Sequence, residues 1–226
     1  MRGSWQETPF TYLLLVVLVI VFAAEVVVQY QQGLGLSWNI SGQVLFDMGA
    51  NYTPGFRNGE YWRTFTSCFL HVDMLHIFMN GLGLFYLGPF IERNYGGVMM
   101  LVAFMLTGVA GSLLTNIWHI NEPYISAGAS GGLYGLFGVI FSTGKRFKNQ
   151  LDPGFQTWIN QNLGLMVVFS FAPQIDAAGH FGGLALGLIM GMLLQPRGYR
   201  GISMAAVDAS VETPVDNPND NQKETP

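Results

Sequence analysis

The sequence predicts an all-α, polytopic membrane protein whose core is a bundle of six transmembrane helices. Half of the 226 residues are hydrophobic and only 11% are charged, whereas about 25% are charged in typical soluble domains. Several apolar runs approach the length of about 20 residues that a helix needs to cross a bilayer. The ten Lys and Arg residues are scattered, so nucleic acid is not an expected partner. The lipid bilayer is therefore the expected surrounding of most of this chain.

Six segments are candidate membrane spans. In chain order they are Pro9–Val28, Met74–Ile91, Val98–Trp118, Ile125–Thr143, Phe155–Ala172 and Ala177–Leu194. The first is longer than the core of a signal peptide, which favours a helix that stays in the protein. Glu25 near its end is expected to snorkel to the membrane edge or to pair. The loop from about Tyr30 to Asp73 is rich in aromatic residues, which suits the headgroup layer.

The fifth span is the weakest, because the first half of Phe155–Ala172 is polar. The distribution of basic residues supports it nevertheless. With a cytoplasmic N-terminus and six crossings, eight of the ten basic residues lie inside and only Arg57 and Arg63 lie outside, as the positive-inside rule expects. We therefore expect both termini to be cytoplasmic. Residues 1–196 are expected to form the membrane domain, and the polar segment 197–226 is expected to be a disordered cytoplasmic tail.

Four polar side chains are expected to lie in the outer half of the membrane. His76 and Asn80 come early in span two, Ser130 early in span four and His180 early in span six, and these three spans all run from outside to inside. At 1.5 Å per helical residue, Ser130 would lie about 8 Å below the start of its span. Polar groups are costly in this layer unless they meet each other or water.

Glycines at a four-residue spacing predict close packing of spans four and six. Gly131 and Gly135 lie on span four, and Gly183 and Gly187 belong to a ladder on span six. Small residues at this spacing let two helix backbones approach closely. Tight packing alone would explain the pattern. One packed helix carries a serine and the other a histidine, however, which adds a functional interpretation.

A serine beside an imidazole is the minimum for nucleophilic catalysis, because the imidazole takes the hydroxyl proton and later gives it to the leaving amine. His76 and Asn80 share one helix face and could donate hydrogen bonds to an oxyanion. The backbone N–H of Ser130 is a further candidate donor, since Gly128 and Gly131 flank it and shield it little. Tyr134 lies on the serine's face and could stack on His180, or simply pack in the core.

No carboxylate stands in a clear third position. Asp73 and Asp176 precede helices, where an aspartate is expected to act as an N-cap, so the residues indicate a Ser–His dyad. The single cysteine, Cys68, gives no disulfide and no metal-site spacing. HExxH and a pair of intramembrane aspartates are missing from the sequence. No metal or cofactor is therefore expected.

These motifs together resemble the rhomboid family of intramembrane serine proteases. They are GASG at Gly128–Gly131, the HxxxN of His76 and Asn80, and GHFGGLALG at Gly179–Gly187, and the loop element EYWR at Glu60–Arg63 also matches. The resemblance implies Ser130 as nucleophile, His180 as general base, His76 and Asn80 as oxyanion support, and Tyr134 in contact with the base. Gly179 stands where the family usually has alanine, which should relax packing only.

The resemblance further implies an endopeptidase that cuts single-span membrane proteins near the outer face, with a small residue before the cut and lateral entry near span five. A bacterial plasma membrane fits the absence of another targeting signal. Two alternatives stay open at this stage: a rhomboid-like protein that binds membrane segments without cutting them, and a transporter or channel. The second is disfavoured, because spans two, four and six become apolar below the outer layer. Oligomeric state and substrate identity do not follow from the sequence.

Overall fold

The computed structural model of the chain describes residues 7–148, 153–173 and 175–197. The predicted tail, apart from its first residue, lies outside the described residues. The predicted helical, polytopic membrane bundle is confirmed. In chain order the elements are α1 (Pro9–Gln31), α2 (Gly42–Asp47), β1 (Asn51–Tyr52), α3 (Thr53–Arg57), α4 (Arg63–Thr66), a 3-10 turn (Ser67–Phe69), α5 (Met74–Tyr95), α6 (Gly97–Trp118), β2 (Ile125–Ser126), α7 (Ser130–Arg146), α8 (Pro153–Phe169) and α9 (Ala177–Leu193).

The long helices turn apolar side chains outward. Within the described residues, α1, α5 and α6 are each long and apolar enough to cross a membrane, and α9 is a shorter apolar helix. Only 33% of the most hydrophobic window of each of the three longer helices is buried. A soluble domain rarely exposes so much contiguous apolar surface. Lipid contact explains it, and the chain is an integral membrane protein.

Helix α7 lies at the centre of the bundle. Residues 131–140 are all buried, and the helix packs mainly against α9 and α6, with α5 and α8 making smaller contacts. A helix that is buried on every side needs small residues where its neighbours come closest, because side chains would hold the backbones apart. The glycines of α7 meet that need.

The predicted start of span four at Ile125 is wrong. Ile125 and Ser126 form β2, which pairs antiparallel with β1 (Tyr52 with Ile125, Asn51 with Ser126). Gly128 then adopts φ +146°, which interrupts any helix, and α7 begins at Ser130. The expectation that Ser130 lies about 8 Å along a helix from Ile125 is therefore also wrong, because no helix joins the two residues. The hydrophobic pattern marked the apolar run but did not reveal the strand pairing that holds its first residues extended.

The segment predicted as a long loop is folded and is centred on Arg63. The Arg63 side chain is buried, forms an ion pair with Glu60, and donates from Nη1 to the Phe46 carbonyl oxygen at 2.7 Å. Its guanidinium carbon lies 4.4 Å from the centre of the Phe46 ring and 4.6 Å from that of Trp62. A buried guanidinium needs such partners to offset its desolvation. Part of the aromatic content of this segment thus serves to hold Arg63.

The two aspartates predicted as N-caps are confirmed in that role. Asp73 accepts a hydrogen bond from the His76 N–H at 2.7 Å, and Asp176 accepts one from the Gly179 N–H at 2.9 Å. Of the two expectations for Glu25, snorkelling to the membrane edge is wrong, whereas a polar partner is present. Its side chain is fully buried and accepts a hydrogen bond from the backbone N–H of His71 at 2.9 Å, so it ties α1 to the residues before α5.

Candidate active site

Ser130 and His180 meet where α7 and α9 begin. Ser130 is the first residue of α7, and His180 lies in the first turn of α9, where its N–H bonds to the carbonyl of the capping residue Asp176. The Oγ of Ser130 lies 2.9 Å from Nε2 of His180. This is hydrogen-bond distance between a hydroxyl and the ring nitrogen that would act as its base.

Facing glycines allow this approach. A Cβ added to Gly183 would lie 2.8 Å from the carbonyl carbon of Gly131, and one added to Gly187 would lie 2.7 Å from that of Gly135. Gly135 also faces the Thr107 side chain of α6, which a Cβ would overlap. The backbones of α7 and α9 are therefore in direct contact. Ser130 adjoins this contact, and His180 lies one turn from it.

Tyr134 covers one face of the His180 ring. The two ring centres are 3.9 Å apart and the planes are inclined by 18°, a stacked arrangement that fixes the plane of the imidazole. The phenol O–H donates to the Met166 carbonyl oxygen of α8 at 2.7 Å. Both side chains are more than 90% buried. Tyr134 thus connects the imidazole to a third helix.

Sequence reasoning missed Ser170, which directly follows α8. Its side chain is fully buried, and its Oγ lies 3.1 Å from Nδ1 of His180 and 2.9 Å from the Tyr134 hydroxyl. The available signal was weak: Ser170 is a lone hydroxyl in the apolar run Leu163–Ala172. No periodicity connects that run to His180.

Two of the donors predicted to support an oxyanion are the Ser130 backbone N–H and the Asn80 side chain. The first backbone N–H groups of any helix lack intrahelical partners, and within the described residues no side chain caps the start of α7. The Asn80 side chain is 5% exposed, and its Nδ2 has no hydrogen-bond partner among the described residues. Unpartnered buried donors are rare and call for an explanation. Asn80 Nδ2 is therefore available as a hydrogen-bond donor.

His76 lies against the backbone before Ser130. A Cβ added to Gly128 would lie 2.7 Å from Cε1 and 2.9 Å from Nε2 of His76, and 3.6 Å from the Ser130 hydroxyl oxygen. Only glycine avoids this overlap, and the φ of +146° independently favours glycine at this position. His76 is therefore placed near the reacting hydroxyl rather than in contact with it.

Neighbouring segments hold the residues before Ser130. The Gly128 N–H donates to the Ser67 carbonyl oxygen at 2.9 Å, and Asn51 Nδ2 donates to the Ser126 hydroxyl at 3.3 Å. Asn51 accepts in turn from Asn116 Nδ2 at 2.8 Å. These bonds hold Ser126 and Gly128 in place, although these residues do not belong to a helix.

A cavity of about 30 Å³ adjoins the dyad. Its volume exceeds the 10–15 Å³ that one water needs, and a water site also needs polar partners. The lining supplies them, since it includes Ser67, Ser112, Ser126, Asp176 and the dyad itself.

The site resembles no metal centre. Within the described part of the chain, no group of three or more His, Cys, Asp or Glu residues could hold a metal ion. Cys68, in the 3-10 turn, is buried, and burial raises the pKa of its thiol to about 12. Reactive cysteines have depressed pKa values, so Cys68 is not a second nucleophile.

Comparisons with known proteins point to one family. The family model described as "Rhomboid domain" matches residues 58–197. The chain is 35% identical over 147 residues to rhomboid protease GluP of Bacillus subtilis, covering 63% of this chain and 28% of that protein. It is 33% identical over 151 residues to RHOMBOID-like protein 1 of Arabidopsis thaliana, covering 62% of this chain and 37% of that protein. It is 32% identical over 152 residues to the putative rhomboid protease YdcA of Bacillus subtilis, covering 65% of this chain and 74% of that protein. The chain thus spans well under half the length of the first two of these relatives.

Proposed function

This chain belongs to the rhomboid family, and we propose that it is an intramembrane serine endopeptidase that uses a Ser130–His180 dyad. The observation that carries the proposal is the 2.9 Å contact between the Ser130 hydroxyl oxygen and Nε2 of His180 inside an apolar bundle. A hydroxyl in hydrogen-bond contact with an imidazole is the arrangement that activates a serine nucleophile. Residues 1–196 form the protease domain in this proposal.

The first half of the reaction forms an acyl-enzyme. Ser130 Oγ attacks the carbonyl carbon of the scissile peptide while His180 Nε2 takes the hydroxyl proton. The carbonyl oxygen becomes an oxyanion, which accepts hydrogen bonds from the Ser130 N–H and the Asn80 side chain. His76, on the same face of α5 as Asn80, supports the oxyanion as well. His180 then gives its proton to the amide nitrogen, the C–N bond breaks, and the new amine leaves. Removing one such oxyanion donor typically costs about 10²–10³ in kcat.

The second half needs water. A water molecule attacks the ester carbonyl while His180 takes one of its protons. His180 then passes this proton to Ser130 Oγ as the C–O bond of the ester breaks and the acid product leaves. Water is scarce in a bilayer, so a polar holding site beside the dyad is required. The polar cavity beside Ser130 and His180 supports this step, because it has room for water and several hydroxyl partners.

The proposed substrates are single-span membrane proteins. A substrate helix must unwind near the cut, because a helical backbone uses its carbonyls in its own hydrogen bonds, and a small residue is expected before the cut. Lateral entry beside α8 is supported by the weak burial of that helix, of which only Phe155 and Ile159 are buried. Exposed apolar side chains line the outer halves of both α5 and α8, among them Phe78, Met79, Leu165 and Val168.

In the proposed orientation both termini are cytoplasmic and the dyad lies toward the outer face. The distribution of basic residues in the sequence supports this topology. A bacterial plasma membrane stays a prediction from the sequence. The relatives come from Bacillus subtilis, Arabidopsis thaliana and Toxoplasma gondii, so they do not indicate a source.

The test is cleavage of a membrane-embedded single-span substrate in proteoliposomes, with mass-spectrometric mapping of the cut. Wild type should cut within or next to the span, and Ser130→Ala should lose cleavage while keeping the thermal unfolding transition. A fluorophosphonate should label Ser130 in the wild type only. Full cleavage by Ser130→Ala would refute the nucleophile assignment. A wild type that neither cleaves nor labels would favour the alternative of a binding protein without protease activity.

A further inference from the structure

A chain of hydrogen bonds runs from His180 to α8. Nδ1 of His180 lies 3.1 Å from Ser170 Oγ, Ser170 Oγ lies 2.9 Å from the Tyr134 hydroxyl oxygen, and that hydroxyl lies 2.7 Å from the Met166 carbonyl oxygen. Ser170 Oγ also lies 2.8 Å from the same carbonyl. His180, Ser170 and Tyr134 are all buried, so each of their polar atoms needs a partner within the protein.

Counting donors assigns a direction to this chain. A carbonyl oxygen can only accept, so the Tyr134 proton points to Met166, and the Ser170 proton can point to the Tyr134 oxygen or to the same carbonyl. Ser170 Oγ then accepts from the Nδ1–H of His180, and three hydrogen bonds form. If Ser170 instead donated to Nδ1, the Tyr134 proton could point to Ser170 or to the Met166 carbonyl, only two bonds would form, and the Tyr134 oxygen would lack a donor. Burial favours the fully bonded arrangement.

This direction determines the tautomer of the imidazole. With its proton on Nδ1, the neutral ring carries a lone pair on Nε2, which faces the Ser130 hydroxyl at 2.9 Å. That is the tautomer a general base needs. Asp176, which lines the cavity beside the dyad, has other partners for its carboxylate: it accepts from the Gly179 N–H at 2.9 Å and from the Thr115 hydroxyl at 2.7 Å.

We propose that Ser170 is a positioning residue, which accepts the Nδ1–H of His180 and so holds the base in its active tautomer, the task that a carboxylate performs in a catalytic triad. The effect on catalysis rests on the proposed protease function, whereas the hydrogen bond itself does not. Because Ser170 directly follows α8, the base is oriented only while this end of α8 lies against α7 and α9.

The kinetic test compares Ser170→Ala with a matched control. Ser170→Ala should lower kcat about tenfold and leave KM unchanged, since one hydrogen bond to a group that becomes charged is worth roughly a factor of ten. Ser170→Thr keeps the hydroxyl and should restore most of kcat. Ser142→Ala is the control: Ser142 is a buried serine that donates to the Leu188 carbonyl oxygen at 2.8 Å and joins α7 to α9. It should keep kcat at the wild-type value.

The spectroscopic test needs no substrate. The ¹⁵N resonances of His180, assigned from a His180→Gln sample, should show one Nδ1–H tautomer in wild type and a mixture in Ser170→Ala. Wild type with the proton on Nε2, or Ser170→Ala with both an unchanged spectrum and unchanged kcat, would overturn the proposal. An equal loss of kcat in Ser142→Ala would do so too, because it would reveal a general packing effect. If Ser130→Ala still cleaves, the protease proposal fails, while the ¹⁵N spectra still decide on the Ser170 bond.

Discussion

Substituting Gly183 by alanine tests whether backbone contact between α7 and α9 sets the geometry of the dyad. An added Cβ would lie 2.8 Å from the carbonyl carbon and 3.2 Å from the Cα of Gly131 and would overlap its carbonyl oxygen. Carbon atoms prefer separations of about 3.5–4.0 Å. The two helices must therefore move apart by roughly 0.7–1.2 Å at this point.

The displacement acts on the dyad almost undiminished, because Ser130 adjoins Gly131 and His180 lies one turn before Gly183. The Oγ–Nε2 distance of 2.9 Å would lengthen to about 3.6–4.1 Å, beyond hydrogen-bond range. A misplacement of about 1 Å can cost roughly 10²-fold in rate. Overpacking costs about 1–3 kcal/mol, and alanine in a helix regains about 1 kcal/mol relative to glycine. Activity should therefore fall much more clearly than stability.

The assay is the rate of substrate cleavage in proteoliposomes, measured together with thermal unfolding. Gly164→Ala is the matched control, because it makes the same change within α8 where an added Cβ meets nothing within 4 Å. It should keep the activity and gain up to about 1 kcal/mol in stability. The reasoning is refuted if Gly183→Ala keeps full activity and gains as much stability as Gly164→Ala.

Two further predictions concern the segments beside the dyad. Gly128→Ala should lose about 1–3 kcal/mol of unfolding free energy through the strain of a positive φ, and it should lose cleavage through overlap with His76. Thermal unfolding and the cleavage rate measure these two effects. Gly81→Ala is the control, because its added Cβ would have no neighbour nearer than 3.8 Å. A Gly128→Ala protein as stable and active as this control would contradict the backbone argument. Cys68 should resist a maleimide in the native protein at neutral pH, since burial raises its pKa to about 12 and the thiol stays protonated below that pH, and it should react once the protein is denatured. Rapid labelling of the native protein would show that the 3-10 turn is open.

The sequence by itself determined the parts that depend on local patterns. Apolar runs located the long helices, because a helix in lipid needs an unbroken apolar stretch. The N-cap roles of Asp73 and Asp176 followed from their positions directly before such runs. The glycine spacing on spans four and six predicted a close pair of helices, and the parity of the spans placed Ser130 and His180 at the same end of that pair.

Only the tertiary structure decided what depends on contacts between segments far apart in the sequence. The pairing of β1 with β2 holds Ile125 and Ser126 extended, so α7 begins at Ser130. The apolar run in the sequence nevertheless continues from the strand β2 into the helix α7. The burial of Glu25 against His71 and the contact of Ser170 with His180 likewise join residues with no shared periodicity. Periodicity tells which side of an element is apolar, whereas hydrogen-bond partners are chosen by packing, which gives buried polar groups the nearest available donors and acceptors.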